Sequence, residues 1–153
     1  MRDQKKLLIK QLDRKLQPFV ETKNIQVPER GWIHSIRTAL NMTLLQLGRR
    51  LKITSQGVKD IERRESSGSI SIKTLTEVGK ALEMKFVYGF VPNQNSIEEL
   101  VESKARELAM KIVLRTSHNM KLENQGNSEE SIDQAIEELA SEIKREKQKS
   151  LWD

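Results

Sequence analysis

Hydrophobic positions follow helical spacing along most of the chain. Leu8, Leu12 and Leu16 form one stripe near the N-terminus, and Pro18 predicts the end of that helix. A linker with turn residues follows over 21–31, and the apolar positions of about 31–84 then predict a run of short helices. Residues 85–91 have a different pattern, because their aromatic and β-branched content, closed by Pro92, is typical of a short strand.

The last third of the chain returns to a helical pattern. Ser96 and Glu99 have capping-box spacing and predict a helix that continues to about Arg115. After Gly126 and Asn127, a second amphipathic helix has its apolar face at Ile132, Ile136, Leu139 and Ile143. A similar near-helical recurrence in the first of these helices consists of Leu100, Ala105, Leu108 and Ile112.

Composition and charge narrow the class of protein. With 153 residues, 36% hydrophobic and 4% aromatic, the chain fits a small helical core with solvated helices rather than a large α/β core. The net charge is +5, but residues 93–153 alone carry −4, so only the first two thirds favour a polyanionic partner.

Several function classes are not expected. The chain has no cysteine, no apolar run long enough to span a membrane and no secretory signal, which favours a cytoplasmic protein. His34 and His118 are far apart and lack companion ligands, so no metal site is predicted. Since no nucleophile motif, phosphate-binding loop or dinucleotide fingerprint occurs, we expect no catalytic residues, no cofactor and no enzyme activity.

Residues 43–65 have the pattern of a helix-turn-helix. Thr43 is a suitable N-cap for a first short helix, Lys52 and Ile53 form a tight turn, and Thr54 is a suitable N-cap for a second. Val58 and Ile61 would face inward on the second helix and leave its polar and basic residues outside. Such a unit places the second helix in the major groove of DNA.

The outer residues of this unit are candidates for DNA contact. The candidates for contact with base edges are Ser55, Gln56 and Lys59. A Gln side chain can form two hydrogen bonds with adenine N6 and N7, Lys can donate to guanine O6 and N7, and Ser can hydrogen-bond to several bases. Candidates for phosphate contact are Thr43, Arg63, Arg64, Ser67, Ser69 and Lys73. The alternatives are capping and turn chemistry for the hydroxyl residues and a solvated surface for the others.

The sequence resembles the Cro/C1-type, or XRE-family, helix-turn-helix proteins over about residues 31–84. The matching residues are Ile33, Ile36, Arg37, Met42, Thr43, Gln46, Leu47, Ile53, Thr54, Val58, Ile61, Glu62, Ile70, Leu75, Val78 and Leu82. A narrower resemblance, to the "mobile mystery protein A" family, lies in Arg30-Gly-Trp-Ile33, Ile36-Arg-x-Ala-Leu40-x-Met42, Val87-Tyr-x-x-Val-Pro92 and Leu151-Trp-Asp153. The chain departs from the XRE pattern at Gly48, where Ala is usual, and at Lys52, where Gly is usual.

The resemblance implies an all-α, lambda-repressor-like fold with one short strand and helical arms at both ends. The expected regions are an N-terminal helix and linker over 1–30, a DNA-binding domain over 31–92 and an acidic helical region over 93–153. It also implies a structural ion pair between Arg37 and Glu62, because Glu62 directly follows an inward-facing residue and its charge needs a partner. The implied function is a transcription regulator of the autorepressor type, similar to antitoxins and typically encoded beside a Fic-domain protein.

A homodimer that reads a pseudo-palindromic operator is expected. One helix-turn-helix offers few base contacts, so useful discrimination normally needs two half-sites. A lone strand must also pair with something, and a second copy of the same strand is the best partner. The residues of this dimer strand are Phe86, Val87, Tyr88 and Phe90.

The acidic last third leaves two hypotheses open. Its apolar faces either pack on each other or on the N-terminal helix, or they bind a partner protein. In the second case the chain would be a protein-neutralising antitoxin of a Fic-domain partner, with DNA binding secondary. Fic enzymes can be restrained by a helix with a (Ser/Thr)-x-x-x-Glu-(Gly/Asn) motif, and the nearest stretch here is Asn119-Met-Lys-Leu-Glu123-Asn124. An enzyme or RNA-binding module is a third hypothesis, which turnover or preference for single strands would support.

Overall fold

A computed structural model of the chain describes residues 2–122, 129–146 and 148–153. All regular secondary structure in these residues is helical, with no β-strand among them, which confirms the predicted all-α class. The α-helices are α1 (Arg2–Val20), α2 (Gly31–Ala39), α3 (Leu44–Leu51), α4 (Ser55–Ser67), α5 (Ile72–Ala81), α6 (Ile97–Leu122) and α7 (Glu129–Glu146). Short 3-10 helices cover Glu21–Asn24 and Gln148–Trp152. No helix in the described ranges is long and apolar enough to cross a membrane.

The chain divides into two compact units. One unit, Asn24–Tyr88, contains α2 to α5. The other unit consists of Met1–Lys23 together with Gly89–Asp153 and contains α1, α6, α7 and the C-terminal 3-10 helix. The two ends of the chain therefore contribute to the same unit, although the sequence predicts them as separate regions.

In the Asn24–Tyr88 unit each of the four helices supplies apolar side chains to one core. α3 packs against α4 and α5, and α2 packs against α4. The buried residues are Ile33, Leu47, Val58, Val78 and Leu82. Because Leu47 and Val58 are fully buried, α3 and α4 are held in a fixed relation by their contact.

In the other unit α6 and α7 pack along each other. The buried residues are Val101, Ala105, Ala109, Ile136, Ala140, Ile143 and Leu151, and the alanines among them leave room for the two helices to approach. The predicted apolar face of α7 is confirmed, since Ile132 and Leu139 also pack on this core. The predicted face of α6 is partly wrong. Its buried row runs through Val101, Ala105 and Ala109, four residues apart, and Ile112 lies outside it, 44% exposed.

α1 differs from its prediction in two respects. It continues to Val20, past Pro18. Because only two helical residues follow this proline, the lost hydrogen bond and the conflict with the preceding turn affect only the last turn. The face that packs on the core also differs, because Ile9 contacts it while Leu8 and Leu12 are exposed.

The predicted strand at 85–91 is not present. None of these residues forms a strand within the described chain. α5 ends with Leu82 as its C-cap, and Met84 then donates its backbone N–H to the carbonyl of Gly79 at 2.8 Å. A strand requires a neighbour to complete its hydrogen bonds, and no other described segment is a strand that could provide it. The β-forming composition of the segment therefore has no ladder to join in a single chain.

Candidate nucleic-acid interface

A tight turn joins α3 to α4, and both helices begin with a threonine cap. Thr43 Oγ1 accepts from the N–H of Gln46 at 3.0 Å, and the Gln46 side chain accepts from the N–H of Thr43 at 2.8 Å, which completes a capping box. Thr54 Oγ1 accepts from the N–H of Gly57 at 3.0 Å. The two caps fix where each helix starts, as the sequence predicts.

Lys52 and Gly48 give this turn its shape. Lys52 has φ 60° and ψ 40°, a left-handed conformation that glycine adopts more easily. The turn brings the carbonyl oxygen of Ile53 to 2.7 Å from the position a Cβ on Gly48 would occupy. Both departures from the XRE pattern therefore belong to one turn. Lys52 occupies its left-handed position, and Gly48 lacks the Cβ that would prevent the Ile53 carbonyl from approaching so closely.

α4 has a buried face and an exposed face. Val58 and Glu62 are buried and Ile61 is partly buried, so the helix turns these residues toward α2 and α3. Among the predicted base-contact residues, Gln56 and Lys59 are exposed and Ser55 is partly buried. Arg63 and Arg64 are exposed as well. The Asn24–Tyr88 unit carries 11 Lys and Arg against six Asp and Glu, which makes it the basic part of the molecule.

Asp60, an acidic residue that is not among the predicted contact residues, lies on the exposed side of α4. Asp60 Oδ1 accepts from Arg63 Nη2 at 2.8 Å and from Gln56 Nε2 at 3.4 Å. The spacing of the three residues is that of helical neighbours, so this signal was present in the sequence. Asp60 consequently offsets part of the positive charge of α4 and restrains one predicted base-contact side chain.

The predicted phosphate-contact residues have ordinary local partners or are exposed on the surface. Thr43 is a cap, as described above. Ser67 Oγ donates to the carbonyl of Arg64 at 3.2 Å and lies 2.9 Å from Ser69 Oγ, so both hydroxyls belong to the turn that ends α4. Lys73 is exposed in the first turn of α5.

Arg37 and Glu62 form a buried ion pair between α2 and α4. Arg37 Nε donates to Glu62 Oε1 at 2.5 Å, and the two side chains are only 11% and 10% exposed. Arg37 Nη1 also donates to the carbonyl of Met42 at 2.9 Å. His34 completes the group, because its Nδ1 lies 3.4 Å from Glu62 Oε2 and 3.4 Å from Arg37 Nη2.

A second carboxylate of α4 caps α2. Glu65 accepts from the N–H groups of Trp32 and Ile33, each at 2.8 Å, at the positive end of the α2 dipole. Gly31, with φ 87°, makes room for it, since a Cβ at this position would lie 2.7 Å from the Glu65 carboxyl carbon. This role is not predictable from the sequence, because an acceptor 32 residues away from the N–H group it binds leaves no local pattern.

The residues predicted to form the dimer strand are largely exposed. Val87, Tyr88 and Phe90 are 61%, 64% and 84% exposed, while Phe86 is partly buried and its ring stacks on that of Tyr88 at 5.9 Å. The Glu123 site predicted from the Fic-type motif lies outside the described residues. No group of three or more His, Cys, Asp or Glu that could hold a metal occurs in the described ranges.

No protein-family model, no curated protein and no solved structure matches this chain.

Proposed function

We propose that the chain is a sequence-specific DNA-binding transcription regulator that inserts α4 into the major groove. The observation that carries the proposal is the α3–α4 pair, two short capped helices joined by a tight turn, whose second helix exposes polar and basic side chains. An α-helix with this exposed face fits the width of the major groove. Gln56 and Lys59 then reach base edges, Ser55 supports them from the first turn, and Arg63 and Arg64 lie nearer the phosphates.

A second copy of the chain is part of this proposal. The exposed side chains of Val87, Tyr88 and Phe90 would be covered if the segment 85–91 pairs as a strand with the same segment of a partner. The resulting two-fold axis would present two copies of α4 to a pseudo-palindromic operator. An autorepressor and antitoxin-like component of a toxin-antitoxin-type operon is the role that the resemblance to the "mobile mystery protein A" family favours.

Neutralisation of a Fic-domain partner stays a prediction with less support. The apolar rows of α6 and α7, from which a protein partner was inferred, largely pack on each other and on Leu151. The motif around Glu123 does not support this prediction, because it lies outside the described residues.

Selection of DNA by the full chain tests the proposal. The protein is mixed with a library of random duplexes, and the bound fraction is sequenced after several rounds. We expect enrichment of a pseudo-palindrome whose half-site centres are about 34–36 Å apart. The double variant Gln56→Ala, Lys59→Ala should lose the enrichment, since both side chains are exposed and their removal leaves the core intact. Lys80→Ala, an exposed lysine on α5, is the matched control and should keep it. Absence of any enriched sequence with the intact protein contradicts the proposal.

Sedimentation of the full chain tests the dimer. We expect a dimer at micromolar concentration and a monomer for the variant Tyr88→Lys, Phe90→Lys, because two like charges would face their own copies across the axis. Leu40→Lys, which charges a comparably exposed apolar residue elsewhere, should remain a dimer. A strict monomer with and without DNA would contradict this part of the proposal.

A further inference from the structure

A depression of about 400 Å³ lies between α2 and α4 in the Asn24–Tyr88 unit. Arg30 and His34 line it from the α2 side, and Lys59, Arg63 and Ser66 line it from α4. The spacing of these residues explains the arrangement, since Arg30 and His34 are four apart and the three α4 residues are four and three apart. Two helices thus turn a row of polar groups toward one concavity.

The depression is surrounded by positive charge that the described residues neutralise only in part. Its floor is the Arg37–Glu62 pair, whose charges cancel. Of the three cations at the rim, Arg63 is paired with Asp60. Arg30 and Lys59 have no carboxylate within ion-pair distance among the described residues. The depression is therefore a region of net positive potential with hydrogen-bond donors on both sides.

Arg30 occupies a position that is unfavourable for the free protein. It is the residue before the first turn of α2, where the helix dipole is positive and disfavours a cation. The N–H groups of Trp32 and Ile33 are already bound by Glu65, so an anion at this end must use side chains. Arg30 Nη1 lies 3.5 Å from His34 Nε2, and this contact holds the guanidinium beside the depression.

We infer that this depression binds a phosphate group, with the guanidinium groups of Arg30 and Arg63 as cationic donors. The planar guanidinium of Arg30 can engage two phosphate oxygens at once, and Arg63 donates from the opposite wall. Lys59 adds positive charge to the depression without contacting the phosphate, since the proposed function places its ammonium at a base edge. A phosphodiester of bound DNA is the source that fits the proposed function, on which this part of the inference rests, because Lys59 and Arg63 belong to the helix that would lie in the groove. A free phosphate has the same chemistry and is the other source.

The salt dependence of DNA binding tests the site in the full chain. Dissociation constants are measured for the selected operator and for a random duplex of equal length between 50 and 200 mM salt. Arg30→Gln should lower the slope of log K against log salt by about 0.9 on both duplexes, as expected for one lost phosphate contact. The factor by which the variant weakens DNA binding should therefore be about 3.5-fold smaller at the upper end of this salt range than at the lower end. Arg49→Gln, which removes an exposed arginine of α3 outside the depression, should leave the slope unchanged.

Uncharged backbone linkages at single positions of the operator can identify the phosphate that Arg30 contacts. Operators that carry a single methylphosphonate at successive positions are bound to the parent protein and to Arg30→Gln. We expect one position in each half-site where the neutral linkage weakens the parent and has no further effect on the variant. If every position weakens both proteins equally, Arg30 contacts no phosphate of DNA and this source is excluded.

Inorganic phosphate alone, followed by calorimetry, separates the remaining outcomes. Binding by the parent and not by Arg30→Gln supports the phosphate site even if no operator is found, in which case the proposed function fails and the site stands. Operator binding without a phosphate position coupled to Arg30, and without binding of inorganic phosphate, overturns the inference and leaves the proposed function intact. Failure of both assays overturns both.

Discussion

Replacement of Arg37 by methionine is expected to bring the Asn24–Tyr88 unit close to unfolding. The variant leaves the Glu62 carboxylate 10% exposed and without its cation, and it removes a donor to the carbonyl of Met42. Breaking a buried pair by removing one partner typically costs about 3–5 kcal/mol. A unit of about 65 residues has a total stability of roughly 3–10 kcal/mol at 0.05–0.15 kcal/mol per residue. The loss is therefore a large part of what holds this unit together.

Urea unfolding followed by tryptophan fluorescence can report this unit alone. Trp32 belongs to the Asn24–Tyr88 unit and Trp152 to the other, so the measurement is made in a Trp152→Phe background. With a slope of roughly 1–3 kcal/mol per molar urea, we expect the midpoint of Arg37→Met to fall by more than about 1 M. Arg49→Met, which changes an exposed arginine in the same way, should shift it little.

The double variant Arg37→Met, Glu62→Leu completes the test. Since it removes both charges, it should recover much of the stability that the single variant loses, and a double-mutant cycle then gives the coupling between the two side chains. If Arg37→Met unfolds at the parent midpoint, or if the two losses simply add, the pair does not stabilise the contact between α2 and α4 and the reasoning is refuted.

Three further predictions concern single side chains. Asp13→Ala should lower the unfolding free energy of the unit that contains α6 by about 1–2 kcal/mol in thermal melts. The reason is that the Asp13 carboxylate accepts from two N–H groups at the start of α6, at 2.6 and 3.1 Å. An unchanged melting temperature would contradict the cap. Gly48→Ala should lower the unfolding free energy of the Asn24–Tyr88 unit by about 1–3 kcal/mol, since its Cβ would lie 2.7 Å from the carbonyl oxygen of Ile53. Helix propensity alone would raise the unfolding free energy, so a more stable variant would contradict the close approach. Lys59→Ala should reduce discrimination between operator and random DNA by about 1–3 kcal/mol, whereas Lys73→Ala should weaken both alike; equal losses for Lys59→Ala would assign it to phosphate.

Local signals in the sequence were sufficient to place the starts of α3, α4 and α6. Thr43 and Thr54 cap as predicted, and Ser96 Oγ accepts from the N–H of Glu99 at 3.0 Å at the start of α6. These caps are predictable because donor and acceptor are three residues apart and the preference for hydroxyl residues has a direct physical cause. The buried positions of α4 and α7 were predictable for a similar reason, since helical periodicity alone determines which residues share a face.

The carboxylates that act between distant helices were not predictable from one sequence. Asp13 binds the first N–H groups of α6, 84 residues further on, and Glu65 binds those of α2. Either residue is an ordinary charged surface position in its own helix. Their role depends on how the helices pack, and periodicity contains no information about which helix end a given side chain will meet.

The strand prediction failed for a different reason. The composition of 85–91 favours β-structure, but β-propensity largely expresses how well side chains fit a sheet that already exists. In the described chain the segment has no strand to pair with, and Tyr88 and Phe90 lie exposed instead. Its composition therefore does not establish a strand in a single chain, and the sedimentation experiment tests whether it pairs with a second copy.

The charge of α4 shows why formal counts mislead for a helix of this kind. α4 contains three basic and three acidic residues, so its net charge is zero. Two of its acids, Glu62 and Glu65, are turned toward α2, where one is paired with Arg37 and the other binds backbone N–H groups. The negative charge of each is therefore balanced on the side of α4 that faces α2. On the exposed side, Asp60 is the one acidic residue of α4 that opposes the basic residues. Packing thus converts a neutral helix into a cationic surface, and the same two contacts that fix α2 leave α4 able to approach a polyanion.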